Sequence, residues 1–274
     1  PLTERYFVFR FDWSTFVVSS EEQFQQKFGQ DLDLYASYFG VEIPTNIRVA
    51  IRFEILLKLC LEKLTDEAFL SQHPELKDGD LQLSSNKVAL LIDEYDAPLT
   101  RSIDNPELFD KIRLEIIEFF SSIKSLSYFR NVFITGVSSY VQSSIFGTQN
   151  QFIDISLEPR YATCCGYTQE ELEQYLAPEL DRAKLVLELK YDELLTKLNY
   201  YQFNSLNDGH NDSQRLFNPV SVSSFLTSPI NGFLNHWTQT GGGSEFLLKQ
   251  IFLSSEEINR QILRKSYKSV FDSI

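Results

Sequence analysis

The sequence is poor in several residue types, and each shortage excludes a class of protein. It contains three cysteines, three histidines and no methionine among 274 residues. The cysteines, at positions 60, 164 and 165, are too few for a disulfide framework, which favours a reducing compartment such as the cytoplasm. The histidines are scattered and match no zinc motif. No apolar run reaches the length of a membrane-spanning helix, and the N-terminus does not resemble a signal peptide.

Basic residues are also in short supply. Asp and Glu number 38 against 25 Lys and Arg, which gives a net charge of −13. Broad binding to nucleic acid requires a basic surface, so we expect no direct nucleic-acid binding by these residues, although a local basic groove stays open. The hydrophobic content of 43% is sufficient for a sizeable core. Because a chain of this length ordinarily contains methionine, and this one starts at Pro1, we expect it to be part of a longer protein.

The most informative segment is the apolar run from Val88 to Ile92, which leads directly into Asp93 and Glu94. An unbroken run of this kind is typical of a central strand in a parallel sheet, buried on both faces. Charged side chains are costly to bury unless they are paired or bound to a metal. We therefore expect Asp93 and Glu94 where the strand leaves the sheet, at the carboxyl end where ligands bind in open α/β sheets.

Strand and helix patterns alternate in the first part of the chain. An aromatic strand ends in Asp12, and a short apolar strand ends in Thr135. We also predict helices from Ser20, from Pro44 and over 109–123, a loop over 71–86, and a further strand over 152–157. This order predicts right-handed βαβ crossovers and a parallel sheet flanked by helices.

Helical patterns dominate after Gly166. Helix starts are indicated by Thr168, with Glu171 three residues later, and by Asn218 followed by Pro219. We therefore predict two domains, an α/β unit over 1–165 and an α-helical unit over 166–274.

The two apolar strands both lead into polar residues, namely Asp93 and Glu94 after the first and Thr135 and Ser138 at the second. In P-loop nucleoside triphosphatases, an acidic strand and a polar-tipped strand lie side by side at the γ-phosphate. One acid holds Mg²⁺, the second polarises the attacking water, and the polar residue senses the phosphate. The alternative is an acidic strand end that is capped by local amides and has no chemical role.

Longer segments resemble one protein family. They are LLIDEYDAPL (90–99), VFITGVSSYVQSSIFGTQNQFIDISLEPRYATCCGYTQEEL (132–172), FNPVSVSSFL (217–226) and NHWTQTG (235–241). Together they closely resemble the AAA-ATPase-like family, P-loop NTPase domains that are widespread in bacteria and often fused to a C-terminal nuclease-like domain of the PD-(D/E)xK type. The resemblance extends from about Tyr6 to about Leu248. It implies a P-loop NTPase-type parallel sheet followed by an α-helical lid.

The resemblance also implies roles for individual residues. Asp93 matches the Walker B aspartate, which holds Mg²⁺ indirectly, and Glu94 matches the catalytic glutamate. Thr135 matches the sensor position, with Ser138 as the second candidate. The implied cofactors are ATP and Mg²⁺, and the implied partner is a fused nuclease-like domain or another protein.

One motif of the family is missing from these residues. Nothing matches G-x-x-x-x-G-K-[ST], whose backbone amides and lysine hold the phosphates. Either this loop precedes Pro1, or this member has lost it, which would make it a nucleotide-independent interaction module such as a secreted bacterial effector. A nuclease is a third alternative, because Glu188-Leu189-Lys190 has E-x-K spacing. Its leucine-rich surroundings favour a helix over the strand that such a site needs.

Overall fold

The computed structural model describes residues 4–77, 82–136, 145, 152–156, 158–198, 200–201 and 216–233. The chain divides between Gln151 and Phe152 into two compact units. The first unit is an α/β structure, and the second is mainly helical. The change of character near Gly166 lies inside the second unit, and the domain limits 1–165 and 166–274 stay predictions.

Three parallel strands form the centre of the first unit. They are β1 (Glu4–Asp12), β2 (Gln82–Asp93) and β3 (Phe129–Ile134). Strand β2 lies between the other two and runs parallel to both. The α/β class, the parallel sheet and the central position of the apolar run are therefore confirmed.

The central strand is longer than its apolar run. It begins at Gln82, inside the segment 71–86 that the sequence predicts to be a loop. Pairing with β1 explains the error, because Gln82 and Leu83 pair with Glu4 and Arg5 ahead of a shift in register. Polar strand residues gain their stability from cross-strand neighbours, which a single-strand pattern does not reveal.

Helices flank this sheet. They are α1 (Glu21–Phe39), α2 (Val49–Lys63), α3 (Glu67–Gln72), α4 (Ala97–Arg101) and α5 (Pro106–Ser125). The predicted start of α1 is confirmed, since the Ser20 side chain accepts a hydrogen bond from the Gln23 N–H. Helix α5 begins in the same way after Asn105, whose side chain accepts from the Leu108 N–H at 3.1 Å.

Helix α2 begins at Val49, so its predicted start at Pro44 is wrong. Arg48 stays extended, and its guanidinium forms salt bridges with Glu115 and Glu118 of α5. Residues 45–47 form a bend, and the ψ of 144° at Arg48 lies outside the helical region, so no helical turn precedes Val49. The Glu115 side chain is 3% exposed, and burial raises its pKa to about 7 against the opposing charge of Arg48.

One face of the sheet is covered by an aromatic cluster. Phe9 and Phe11 of β1 are fully buried and pack against Phe53 of α2 and Phe28 of α1. Both helical rings also contact Phe119 of α5, with centroid separations of 4.8 Å for Phe28 and 5.4 Å for Phe53. Complete burial of such a side chain contributes about 1.5–3 kcal/mol. This cluster is therefore a main source of stability in the first unit.

The opposite face of the sheet is less covered. Side chains alternate between the two faces of a strand, so the register places Val8, Ala89, Leu91 and Phe133 on this side. Val8 is 42% exposed and Phe133 is 45% exposed. Because parallel sheets ordinarily have both faces covered, these apolar side chains form an unusual surface. We call these four residues the open face.

The two outer strands differ in what protects their free edges. The Arg10 N–H and C=O of β1 point away from β2, toward the Tyr35 hydroxyl of α1. That hydroxyl accepts from the Arg10 N–H at 2.8 Å and donates to the Arg10 C=O at 3.0 Å. It thereby replaces a neighbouring strand at this position. In the part of the chain that the structure describes, no strand pairs with the outer edge of β3.

Short helices make up most of the second unit. They are Gln169–Tyr175, Ala177–Leu187, Tyr191–Lys197 and Pro219–Thr227, accompanied by the antiparallel strands Tyr200–Tyr201 and Leu216–Phe217. Leucine and phenylalanine side chains of these helices share a small core around Leu194 and Phe225. Among the described helices of the chain, none is long and apolar enough to cross a membrane.

Both predicted helix starts in the second unit are confirmed. Thr168 and Glu171 form a complete capping box, in which each side chain accepts a hydrogen bond from the other residue's N–H. Asn218 accepts from the Ser221 N–H at 3.0 Å. These signals are local, so they do not depend on the rest of the fold.

Two further predictions in the second unit concern a strand and the E-x-K motif. The predicted strand over 152–157 is wrong for its described residues, 152–156, which contain no strand. The Asp154 carboxylate accepts from the Ser156 N–H at 2.9 Å, which makes a local turn. The E-x-K motif lies on no strand, as expected, because Glu188 ends a helix with φ of 53°.

Candidate active site

Asp12, Asp93 and Thr135 lie side by side at the carboxyl ends of the three strands. Asp12 pairs in register with Asp93, and Thr135 follows Ile134, which pairs with Ile92. The Thr135 hydroxyl donates a hydrogen bond to Asp93 Oδ1. The structure therefore brings together the two strand ends that the sequence assigns to the same end of the sheet.

Glu94 has a backbone conformation that non-glycine residues rarely adopt. Its φ is +49°, in the left-handed region, which costs about 1–2 kcal/mol. The Glu94 N–H donates to Thr135 Oγ1 at 3.4 Å, and the Tyr95 N–H donates to the Thr135 carbonyl at 3.0 Å. The Glu94 carbonyl accepts from the Ala97 N–H at 3.0 Å, where α4 begins. Strain of this kind persists only where the surroundings enforce it, and it is concentrated at functional sites.

The Glu94 carboxyl group has a raised pKa. Partial burial is the main cause, the charges of Asp93, Asp12 and Asp96 add to it, and Arg101 opposes it. A carboxylate with a raised pKa is a better proton acceptor, as a general base near neutral pH must be. Asp93, in contrast, is exposed, so its carboxylate is accessible to a ligand. The two adjacent acids therefore have different environments and suit different tasks.

Sequence patterns miss one further carboxyl group near Asp12. Asp31 lies on α1, where burial raises its pKa to about 6 with a smaller contribution from the charge of Asp12. Asp12 itself accepts hydrogen bonds from Ser14, which lower its pKa. Asp31 belongs to a regular helix, and its environment arises only when α1 packs on the sheet. No sequence signal could have identified it.

The residues that follow Glu94 and Thr135 are packed closely. Tyr95 is 5% exposed and Asp96 is 1% exposed. The Tyr95 ring lies edge-on to Phe120 of α5, with centroids 6.2 Å apart. Ser138, the second sensor candidate, lies outside the described residues, and its role stays a prediction.

The donor set at this site suits a metal that is bound together with a substrate. Among the described residues, no group of three or more His, Cys, Asp or Glu could hold a metal ion. Mg²⁺ at phosphate-transferring sites typically keeps several waters and uses one or two carboxylates plus substrate phosphates. The exposed carboxylate of Asp93, with Asp12 level with it, fits that mode of binding. The residues present therefore fit a nucleotide-bound Mg²⁺.

Comparisons with known proteins identify the family of this chain. A protein family described as Predicted AAA-ATPase matches residues 1–146, more than half of the 274 residues. A relative from Azotobacter chroococcum mcd 1, named "Uncharacterized protein in vnfD 5'region", is 30% identical over 156 residues. The match covers 57% of this chain and 27% of the relative, so the chain spans about a quarter of that protein's length. No solved structure matches the chain. Asp93, Glu94 and Thr135 all lie within the family match, and the chain belongs to the predicted AAA-ATPase family.

Proposed function

We propose that this chain forms part of a site that binds and hydrolyses ATP at the carboxyl end of the sheet. The observation that carries the proposal is the hydrogen bond between the Thr135 hydroxyl and Asp93, beside the strained Glu94. It joins a carboxylate accessible to Mg²⁺, a proton acceptor and a polar group at the tips of adjacent parallel strands. Phosphoryl transfer depends on positioning and electrostatic stabilisation by groups of these kinds.

Each of these residues has a distinct role in the proposal. Asp93 would hold the water shell of Mg²⁺, and the metal supplies positive charge to the phosphate oxygens. Glu94 orients and polarises the attacking water from its position beside Thr135. Thr135, with Ser138 as the alternative, contacts the γ-phosphate. ATP and Mg²⁺ are thus the proposed cofactors.

The phosphate-binding loop must come from another segment, because no G-x-x-x-x-G-K-[ST] occurs in the sequence. Tyr35 blocks the free edge of β1, whereas β3 has no outer partner among the described strands. We place the loop before Pro1, between a strand that pairs with β3 and a helix that covers the open face. The N-terminus of such a helix would lie at the carboxyl end of the sheet, where its amides can bind phosphate.

The proposal extends to the rest of the protein. Residues 166–274 act as an α-helical lid that closes over the nucleotide and transmits its state to a partner. That partner is a fused C-terminal nuclease-like domain or a separate protein, and the compartment is the cytoplasm.

The decisive variant is Glu94→Gln in the longest natural form of the protein. It removes the proton acceptor and preserves side-chain size, so ATP binding should persist while hydrolysis falls by about 100-fold or more. Binding is measured by fluorescence titration and hydrolysis by phosphate release. Glu107→Gln is a matched control, because that carboxylate is exposed on α5 and pairs only with Lys111 among the described residues. Equal turnover in the wild type and the Glu94 variant would refute the role of Glu94.

A second candidate is an interaction module that keeps this fold without nucleotide chemistry. The missing phosphate-binding loop favours it, since the carboxylates cannot retain a triphosphate by themselves. The two candidates differ in their response to ATP and Mg²⁺. An ATPase should unfold at a higher temperature when ATP·Mg²⁺ is added, because ligands that bind only the native state stabilise it. A melting temperature that ATP does not change supports the interaction module.

A further inference from the structure

Gly136, directly after Thr135, lies where no side chain fits. An ideal Cβ at this position would be 2.7 Å from Tyr95 Cδ1 and 2.8 Å from Asp96 Oδ1. Both distances are below 3.0 Å, which real Cβ atoms essentially never show. Only glycine fits at this position without displacing its neighbours, because it has no Cβ.

The two groups that fill this space cannot move away easily. Tyr95 and Asp96 are both buried, and the Tyr95 ring is packed against Phe120. The Asp96 carbonyl accepts hydrogen bonds from the Leu99 and Thr100 N–H groups at 3.1 and 2.9 Å, which ties it to α4. The turn after β2 is thus held by contacts with α4 and α5, and its side chains also pack closely against Gly136.

Backbone hydrogen bonds join the same two strand tips. The Thr135 N–H donates to the Ile92 carbonyl at 2.8 Å, and the Tyr95 N–H donates to the Thr135 carbonyl at 3.0 Å. Glu94 lies between these bonds, in its left-handed conformation. The backbone of Thr135 is thus bonded directly to the tip of β2 on either side of Glu94.

We infer that Tyr95, Asp96 and Gly136 are positioning residues, which lock the tips of β2 and β3 together and thereby set the geometry of Glu94 and Thr135. They act through contact between the strand tips and touch no substrate. The catalytic consequence rests on the proposed ATPase function, whereas the lock itself is a property of the fold. A displacement of about 1 Å at a catalytic group can reduce the rate of a reaction about 100-fold.

The test is Gly136→Ala, which adds one methyl group at the crowded position. We expect kcat for ATP hydrolysis to fall about 10- to 100-fold, while KM for ATP changes less than about threefold. Hydrogen–deuterium exchange should accelerate at the amides of Tyr95 and Thr135. The double variant Tyr95→Leu/Gly136→Ala removes the contact with the Tyr95 ring and keeps the one with Asp96 Oδ1, so it should restore part of both losses. A general loss of stability would instead accelerate exchange throughout the first unit.

Gly29→Ala is the matched control. Its added Cβ would also meet a close neighbour, the guanidinium of Arg52, but that is the far end of a flexible side chain on α2. It should leave kcat and the exchange at Tyr95 and Thr135 unchanged.

The exchange measurement separates failure of the lock from failure of the proposed function. If the wild type does not hydrolyse ATP, accelerated exchange confined to Tyr95 and Thr135 still supports the lock. Unchanged exchange at these amides, or acceleration spread evenly over the first unit, would overturn it.

Discussion

The two faces of the sheet have opposite characters. One is covered by an aromatic cluster in which Phe9, Phe11 and Phe28 are fully buried, whereas the open face leaves Val8 and Phe133 more than 40% exposed. The active-site candidates Asp93 and Thr135 lie at the carboxyl end of the second face. The covered face thus contributes strongly to the stability of the first unit, and the open face is the surface that the proposed phosphate-binding segment would cover.

The largest expected effect tests the covered face. Phe28→Ala removes a fully buried ring that contacts Phe11 and Phe119, so the free energy of unfolding should fall by about 3–5 kcal/mol. Phe133→Ala on the open face should cost only about 1 kcal/mol, because that side chain is 45% exposed. Urea unfolding followed by Trp13 fluorescence in a Trp237→Phe background measures both. Similar losses at the two positions would contradict the distinction between the faces.

An intermediate effect is expected at the protected edge of β1. Tyr35→Phe removes the hydroxyl that satisfies both backbone groups of Arg10, so stability should fall by about 1–3 kcal/mol. Tyr6→Phe is the control, because the Tyr6 hydroxyl bonds only the exposed Glu4 among the described residues, and it should cost less than about 0.5 kcal/mol. If both variants unfold at the same urea concentration, Tyr35 does not substitute for a neighbouring strand.

The last expected effect, the smallest when taken over a single pH unit, concerns pH and lies away from the sheet. Burial raises the pKa of Glu115 from 4.5 to about 7, so its protonated form favours the folded state. Stability from this group is complete below about pH 4.5 and is lost as the pH rises through about 7. A single group changes stability by at most about 1.4 kcal/mol per pH unit.

Glu115→Gln should reduce the slope of stability against pH between pH 5 and 7.5, measured by thermal unfolding. Glu118→Gln, which alters the exposed partner of the same Arg48, should reduce it much less, because the charge of Glu118 makes only the smallest of the contributions to the raised pKa of Glu115. Asp31, with a pKa raised to about 6, contributes a residual slope of the same sign. A slope that persists undiminished in Glu115→Gln would show that Glu115 is charged throughout this range.

The features that sequence predicts correctly are those with local causes. The apolar run before Asp93 identifies a central strand, and the capping residues Ser20 and Thr168 identify helix starts. The meeting of Asp93 and Thr135 follows from parallel strands alone. Their chemical roles, and that of Glu94, stay predictions.

The features that sequence misses depend on contacts between distant residues. The first half of β2 is stabilised by pairing with β1, and Arg48, directly before α2, forms its salt bridges with α5, which is distant along the chain. The raised pKa of Asp31 and the space requirement at Gly136 likewise arise only in the folded structure. None of these contacts leaves a periodic pattern along the chain.

The hydrogen bonds of Tyr35 also bear on the order of folding. Tyr35 and Arg10 are only 25 residues apart, so α1 can close over β1 through contacts of short sequence separation, which form rapidly. Once α1 is in place, β2 and every later strand can join from one side only. The Tyr35 hydroxyl thereby prevents β2 from pairing with the wrong edge of β1 during folding. It also prevents a strand of a second molecule from pairing with this edge, which is how domain swapping and aggregation begin.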